Sequence, residues 1–543
     1  MLSRFTGLRA ACRVLLLALF LCCALTFGGS LHSSFAQVAG DPSGTKTGAA
    51  IDATTANGPI FKDQETVDSV RANVPTIATL ADGVGHTRVA VNIVFTLLTG
   101  FLVMFMQAGF AMVETGFCRA KNAAHVMMTN LMIYPIGVLG FWICGFAIMF
   151  GSVGAVGSLG GTPALIGGEF KIGDVGLWGT RGLFLSGNFY DVGVFTLFLF
   201  EVVFMSASVI IPTGAMAERW KFNSFIVYGF FASMILYPIY GHQIWGGGWL
   251  SQLGHLYHLG HGAVDFAGSG VVHSIGGWTA LAGALVLGPR IGKFTNGKAN
   301  PMPGHDIPMA LLGTFILAFG WFGFNPGSTL GMAGAGGMRA AIIAVNTMLA
   351  SASGAFAALL IWKAMFKKPD PGMAANGMLA GLVAITAPCA YVTSGFAILI
   401  GAIAGGLVCW GVIMIEKNGI DDPVGAFSVH GINGIWGVMA VGLFADGTYG
   451  DGLNGVSGNV TGLFYGHGGG AQFMAQMISI VVCGAWAFGI STLFFKVQNA
   501  LTPGGIRSRR EDEIAGLDMP EMGAYAYPEF QLRSEVRESA LVD

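Results

Sequence analysis

The chain has 543 residues, yet Asp, Glu, Lys and Arg supply only 10% of them, against about 25% in soluble globular domains. Hydrophobic residues make up 53%, and 85 glycines lie within apolar runs without a Gly-X-Y period. Too little charge to cover a soluble surface, no collagen repeat, and a net charge of −2 without a basic stripe for nucleic acid leave a multi-spanning membrane protein.

Residues 1–36 read as a secretory signal peptide. Arg4, Arg9 and Arg13 precede an apolar run from Val14 to Phe27, and Ser34-Phe35-Ala36 offers small residues for cleavage. Residues 37–88 follow as a polar extracytoplasmic segment. Eleven apolar stretches then read as spanning helices, near 90–114, 127–151, 192–215, 222–241, 265–288, 307–325, 337–362, 375–390, 393–415, 427–444 and 472–495. Several reach the roughly 20 residues that a bilayer crossing needs. Lys and Arg collect in alternate loops, as at Arg119, Lys121, Arg219, Lys221, Arg290, Lys293, Lys298, Lys363, Lys367, Lys368 and Lys417. The opposite short loops carry Lys171, Arg181 and Arg339. Positive residues stay inside, so the spacing predicts an outer N-terminus, an inner C-terminus and a location in the cytoplasmic (inner) membrane. The transmembrane domain takes residues 89–496 and a cytoplasmic tail takes 497–543.

An internal echo organises the spans. Asp265-Phe-Ala-Gly-Ser-Gly-Val-Val-His273 in the fifth span matches Asp422-Pro-Val-Gly-Ala-Phe-Ser-Val-His430 in the tenth. Gln107-Ala-Gly-Phe110 in the first span matches Trp321-Phe-Gly-Phe324 in the sixth. Copies separated by five spans are inverted, so the expected fold is all-α: spans 1–5 and 6–10 related by a pseudo-twofold axis in the membrane plane, plus an eleventh helix. The two histidines should meet near the midplane, where ionisable side chains are costly and mark a substrate or proton path.

Two imidazoles side by side can share one proton and leave a donor and an acceptor for a small amphoteric molecule. Asp265 and Asp422 stand two turns before their histidines, where a carboxylate caps free helix amides; Asp265 also supplies a negative field toward a cation. Neither span offers the further ligands that a metal needs. The His255, His258, His261 run has a spacing that could put all three on one helix face and hold a metal ion weakly, but without a carboxylate or Cys partner it reads first as a polar extracytoplasmic loop. No Walker A loop is present, which excludes an ATP-driven pump. No nucleophile–base pair marks an enzyme, and no cofactor is expected.

Together with Trp245-Gly-Gly-Gly-Trp249, Trp321-Phe-Gly-Phe-Asn-Pro-Gly-Ser328, Phe200 and Phe204 one turn apart, and Val429-His430-Gly431, these features resemble the ammonium transporter family (the Amt/Mep/Rh group), with a bacterial Amt-type member as the nearest reading. The resemblance runs from about residue 88 to about residue 525. It implies that Trp245 and Ser328 recruit ammonium at an outer vestibule, supported by Asp265 and the vestibule aromatic Phe200. Phe204 and Phe324 would close the vestibule, and His273 and His430 would be the twin pore histidines along which deprotonated substrate passes. It also implies a homotrimer with one pore per subunit. In the tail, Gly516, Leu517, Asp518, Glu521 and Gly523 match a segment that packs beneath neighbouring subunits and takes part in control by PII-type signalling proteins. Met522 stands where the family usually has His, and Ala524 where it has Glu. The alternative that the resemblance leaves is an ammonium sensor with the transporter fold and little or no flux.

Overall fold

The computed structural model describes residues 77–153, 156–161, 168–466 and 468–529; the expected signal peptide and most of the segment that follows it lie outside these. Among the described residues, ten helices are long and apolar enough to cross a membrane, and a shorter apolar helix joins them. In chain order they are α1 (Ile77–Phe117), α2 (Ala120–Phe150), α3 (Val192–Ala215), α4 (Phe222–Ile244), α5 (Ser269–Leu287), α6 (Ile307–Thr329), α7 (Ala340–Phe366), α8 (Pro371–Thr386), α9 (Ser394–Lys417), α10 (Phe427–Phe444) and α11 (Gly469–Leu501). A hairpin of β1 (Glu169–Ile172) and β2 (Val175–Gly179) lies between α2 and α3.

The eleven apolar stretches of the sequence therefore become the eleven helices. The main difference is at α1, which starts at Ile77 rather than near 90. No proline interrupts the sequence between Pro75 and Pro135, so the helix continues outward through polar turns. Asp191, Asp306 and Asp370 cap α3, α6 and α8 by accepting backbone N–H groups of the first turn, the role expected of a short carboxylate at a helix start. Outward-facing positions are apolar, as at Phe101 and Phe105 on α1, Phe315 and Phe319 on α6 and Val481 on α11.

The pairing of the two halves rests on glycine. Helices α1 and α6 approach so closely that a Cβ added to Gly313 would fall 2.6 Å from the Gly109 carbonyl oxygen. Helices α5 and α10 cross in the same manner. Gly277 faces the Gly431 backbone, and a Cβ on Gly434 would lie 2.5 Å from the Ser269 carbonyl oxygen. Gly277 and Gly434 each follow their histidine by four residues, so the opposing backbones touch one helix turn beyond each imidazole, on opposite sides of the pair. Such contact is open only to small residues, as in other membrane helix pairs. Helix α11 lies along α5 and α10.

At the end of the bundle that carries the tail, a buried ionic cluster ties the connections together. Glu218, between α3 and α4, accepts from Arg119 and from Arg290 Nη1 (2.8 Å), while Arg290 also grips Asp421 in the α9–α10 connection. Arg219 donates to the carbonyl oxygens of Gly288, Ala217 and Asp421. Three of the basic residues that read as loop charges are thus structural.

Candidate functional site

A cavity of about 580 Å³ opens at the end of the bundle away from the tail, lined by Trp245, Asp265 and Ser328 together with Tyr391, Tyr449 and Asn454. The Trp245 indole N–H donates to the Asp265 carbonyl oxygen at 2.7 Å, which fixes the ring by its edge. The Asp265 carboxylate is fully engaged. Oδ1 accepts from Gly268 and Ser269, and Oδ2 from Gly270 and Val271, at 2.8–2.9 Å. It caps α5 as its position in the sequence suggests. Ser328 Oγ donates to the Phe324 carbonyl oxygen at 2.9 Å.

Below the cavity lie two aromatic rings in contact. Phe204 and Phe324 lie against each other with centroids 4.0 Å apart and planes tilted by 31°, and both are buried. Trp245 meets Phe204 edge-on at 6.2 Å. Phe200 packs 4.5 Å from Phe204 and is absent from the cavity lining, so it backs the ring pair.

The histidines lie directly beneath. His273 stacks on Phe324 at 5.4 Å and on Trp321 at 5.1 Å, and its ring faces His430 at 5.2 Å. The two Nδ1 atoms are 3.2 Å apart. One nitrogen must donate and the other accept, so the rings share a single proton and are held as opposite tautomers. His273 Nε2 is buried without a hydrogen-bond partner in a site walled by aromatic rings. The internal echo reappears as geometry: Phe324 of α6 stands by His273, and its counterpart Phe110 of α1 lies 6.1 Å from His430.

Both histidines occupy π-helical turns, Ser269–Ser274 and Phe427–Ile432. A π turn widens the helix and is frequent at functional sites. Past His430 a second cavity of about 20 Å³ is bounded by Phe110, Glu114, Asn376, Val424 and His430. Asp422 caps α10 there, accepting the Phe427 N–H at 2.8 Å on Oδ2, while Oδ1 is buried without a partner. The two repeat aspartates therefore cap their helices at opposite ends of the path. His255 and His261 bond the carbonyl oxygens of Asn454 and Gly458 in the wide cavity's outer loops.

The tail residues dock under α2 and α4. Leu517 N–H donates to Asn122 Oδ1 at 2.9 Å, Asp518 Oδ1 accepts the His125 N–H at 2.9 Å, and Glu521 Oε2 accepts the Phe222 N–H at 3.3 Å. Gly516 and Gly523 take positive φ, 105° and 71°, the left-handed conformations that let the segment turn. Burial pushes the Glu521 carboxyl up from its ordinary value.

Sequence reasoning passed over three features. Trp321, which in the sequence marks only the repeat, stacks on His273. The cluster of Glu218, Arg290 and Asp421 was hidden among ordinary loop charges. Glu114 carried a usable signal, a carboxylate inside an apolar run.

Comparison with known proteins gives a consistent result. Residues 94–527 match the Ammonium Transporter Family. The chain is 48% identical to ammonium transporter Amt2 of Archaeoglobus fulgidus over 448 residues, covering 82% of this chain and 90% of that protein. It is 36% identical to ammonium transporter Amt1 of Haloferax mediterranei, covering 81% and 80%. Among solved structures it resembles a Sensor Amt Protein (TM-score 0.68, 35% identity, 80% of this chain and 99% of that one). It also resembles Mep2 of Candida albicans (TM-score 0.65, 26% identity, 81% and 90%). The paired halves, the ring pair and the facing histidines thus sit in a chain that belongs to the ammonium transporter family.

Proposed function

We propose that this protein transports ammonium nitrogen across the membrane as a bacterial Amt-type member of its family. Ammonium is drawn to the wide cavity by the Trp245 face, the Ser328 hydroxyl and the Asp265 field, with Phe200 bracing the rings. It gives up its proton there, and ammonia passes Phe204 and Phe324 and moves along His273 and His430. The observation that carries this reading is the 3.2 Å contact between the histidines directly beneath a closed aromatic pair. A permanent cation such as potassium has to shed its water in this apolar passage without repayment. Ammonium can leave its charge behind as a proton, and so it alone avoids that cost.

The same reading places residues 1–36 as a cleaved signal peptide and 37–88 outside. The tail then faces the cytoplasm, where the basic loops lie, and the membrane is the cytoplasmic one. We assign the working unit to a homotrimer with one path per subunit, and the docked tail to control by a PII-type protein, with Met522 and Ala524 altering that contact.

The test is current and ammonium uptake by purified protein in liposomes, with His273→Asp and His430→Ala beside the unaltered chain. Saturable current on an ammonium pulse, none with potassium, and loss or altered selectivity in the variants are expected. Uptake without current identifies net ammonia passage. The likeness to a Sensor Amt Protein favours one second reading, an ammonium sensor with little flux; binding with neither uptake nor current would establish it and overturn transport.

A further inference from the structure

Glu114 lies near the tail end of α1, buried to 3% exposure, and lines the narrow cavity together with His430. That cavity of about 20 Å³ has room for roughly one water-sized molecule, and ammonia is of that size. Among the described residues no Lys, Arg or His forms an ion pair with Glu114. A carboxyl at this depth without a cation is expensive, and a purely structural role would be served by an amide.

Its hydrogen bonds suit a group that gains and loses a proton. Asn130 Nδ2 lies 2.8 Å and Thr213 Oγ1 2.7 Å from the same oxygen, Oε2, while Thr213 Oγ1 is also 2.5 Å from the Ile210 carbonyl oxygen. The threonine hydroxyl has one hydrogen. When Glu114 is a carboxylate, Thr213 donates to it. When Glu114 is an acid, Thr213 turns its hydrogen to Ile210 and accepts the acid proton. Rotation of one hydroxyl keeps both protonation states bonded.

We infer that Glu114 returns a proton to ammonia after it passes His430, so that nitrogen leaves the path as ammonium. This rests on the ammonium reading above. In the step the Glu114 O–H bond breaks and the ammonia lone pair takes the proton, giving carboxylate and ammonium; ammonium departs toward the tail. The carboxylate regains its proton from the imidazole pair, in which case charge crosses the membrane, or from water on the tail side, in which case it does not.

The experiment uses the full-length protein in liposomes, with ammonium pulses followed by current and by a luminal pH dye. Glu114→Gln is expected to lower the maximal rate at least about tenfold, the scale of losing a positioned proton donor, with the half-saturating ammonium concentration unchanged. Glu114→Asp should restore part of the rate, which a merely structural carboxyl would not require. Loss of current together with flux assigns the proton to the imidazoles; loss of flux from an unaltered chain that carries no current assigns it to water. An unchanged rate in Glu114→Gln overturns the proposal and leaves ammonium transport standing. No ammonium flux in the unaltered chain overturns the underlying reading instead. Should Glu114→Gln not reach the membrane, Thr213→Val carries the test: it keeps the shape and removes the rotating hydroxyl, and a full rate there also overturns the relay.

Discussion

The Arg290 guanidinium holds Asp421 by both carboxylate oxygens, with Nε 2.9 Å from Oδ2 and Nη2 3.0 Å from Oδ1, and both residues are buried. The pair locks the α5–α6 connection to the α9–α10 connection, each of which adjoins a histidine-bearing helix. Asp421→Ala would leave Glu218 as the remaining carboxylate for Arg290 and remove the negative charge beside Arg219. Breaking one side of a buried pair typically costs about 3–5 kcal/mol, and thermal unfolding in detergent should show a loss on that scale.

The same carboxylate gives a signed pH dependence. Burial pushes Asp421 up, but the charges of Arg219 and Arg290 and the Arg290 hydrogen bonds overcome it and hold the carboxyl at about 2, below its ordinary 3.8. A group depressed in the folded state stabilises fully above its unfolded value and loses that contribution as pH falls through the folded one. Stability should therefore decline between about pH 4 and pH 2. Unfolding midpoints of the unaltered chain and Asp421→Asn, followed across that range, should converge at the acid end. Parallel curves would show that another group carries the acid limb.

Gly277→Ala and Gly434→Ala place a methyl group against opposing backbone where α5 and α10 cross. Overpacking of this kind costs about 1–3 kcal/mol and should also move the histidines apart, lowering flux. Gly484→Ala is the comparison, since its Cβ would lie 3.4 Å from the Trp278 ring, an ordinary contact. Flux near that of the unaltered chain is expected for it, and equal losses in all three would contradict the crossing as the cause.

Trp245→Phe keeps an aromatic face but removes the indole N–H that anchors the ring to the Asp265 carbonyl oxygen. The half-saturating ammonium concentration should rise several-fold while the maximal rate changes little, because recruitment rather than passage is weakened. Concentration series of ammonium-evoked current or uptake measure both quantities. A fall in maximal rate alone would place Trp245 in the passage step.

Asp518→Ala removes the carboxylate that accepts the His125 N–H at the start of α2. Loss of a cap costs about 1 kcal/mol, and most of it should appear as release of the tail. Trypsin would then cut faster at Arg507, Arg509 or Arg510 with the membrane helices intact. An unchanged cleavage rate would mean that the other tail contacts, among them those of Leu517, Glu521, Glu513 and Arg507, hold the segment without it.

Much of the fold was legible in the sequence, because the physical signals concerned are local. Apolar stretches marked the helices to within a few residues except at the starts of α1 and α2 and the end of α11, and the pairing of Asp265 with His273 and Asp422 with His430 revealed the inverted halves. The same spacing put both aspartates at helix starts. Resemblance to known family motifs picked out Trp245, Phe204, Phe324 and Ser328, which gather around one path, whereas Phe200 sits behind the rings.

What the sequence by itself determined was therefore the class of protein, its order of helices and its duplicated plan, all set by hydrophobicity and repetition along the chain. The tertiary structure decided the rest: the Nδ1 contact of the histidines, the π turns that carry them, the glycine crossings that flank them, the pairing of Glu218 and Asp421 with Arg290, and the cavity that Glu114 shares with His430. Each depends on which residues from distant helices are pressed together. In an apolar medium a buried polar group must find its partner across the bundle, and spacing along one helix does not say who that partner is.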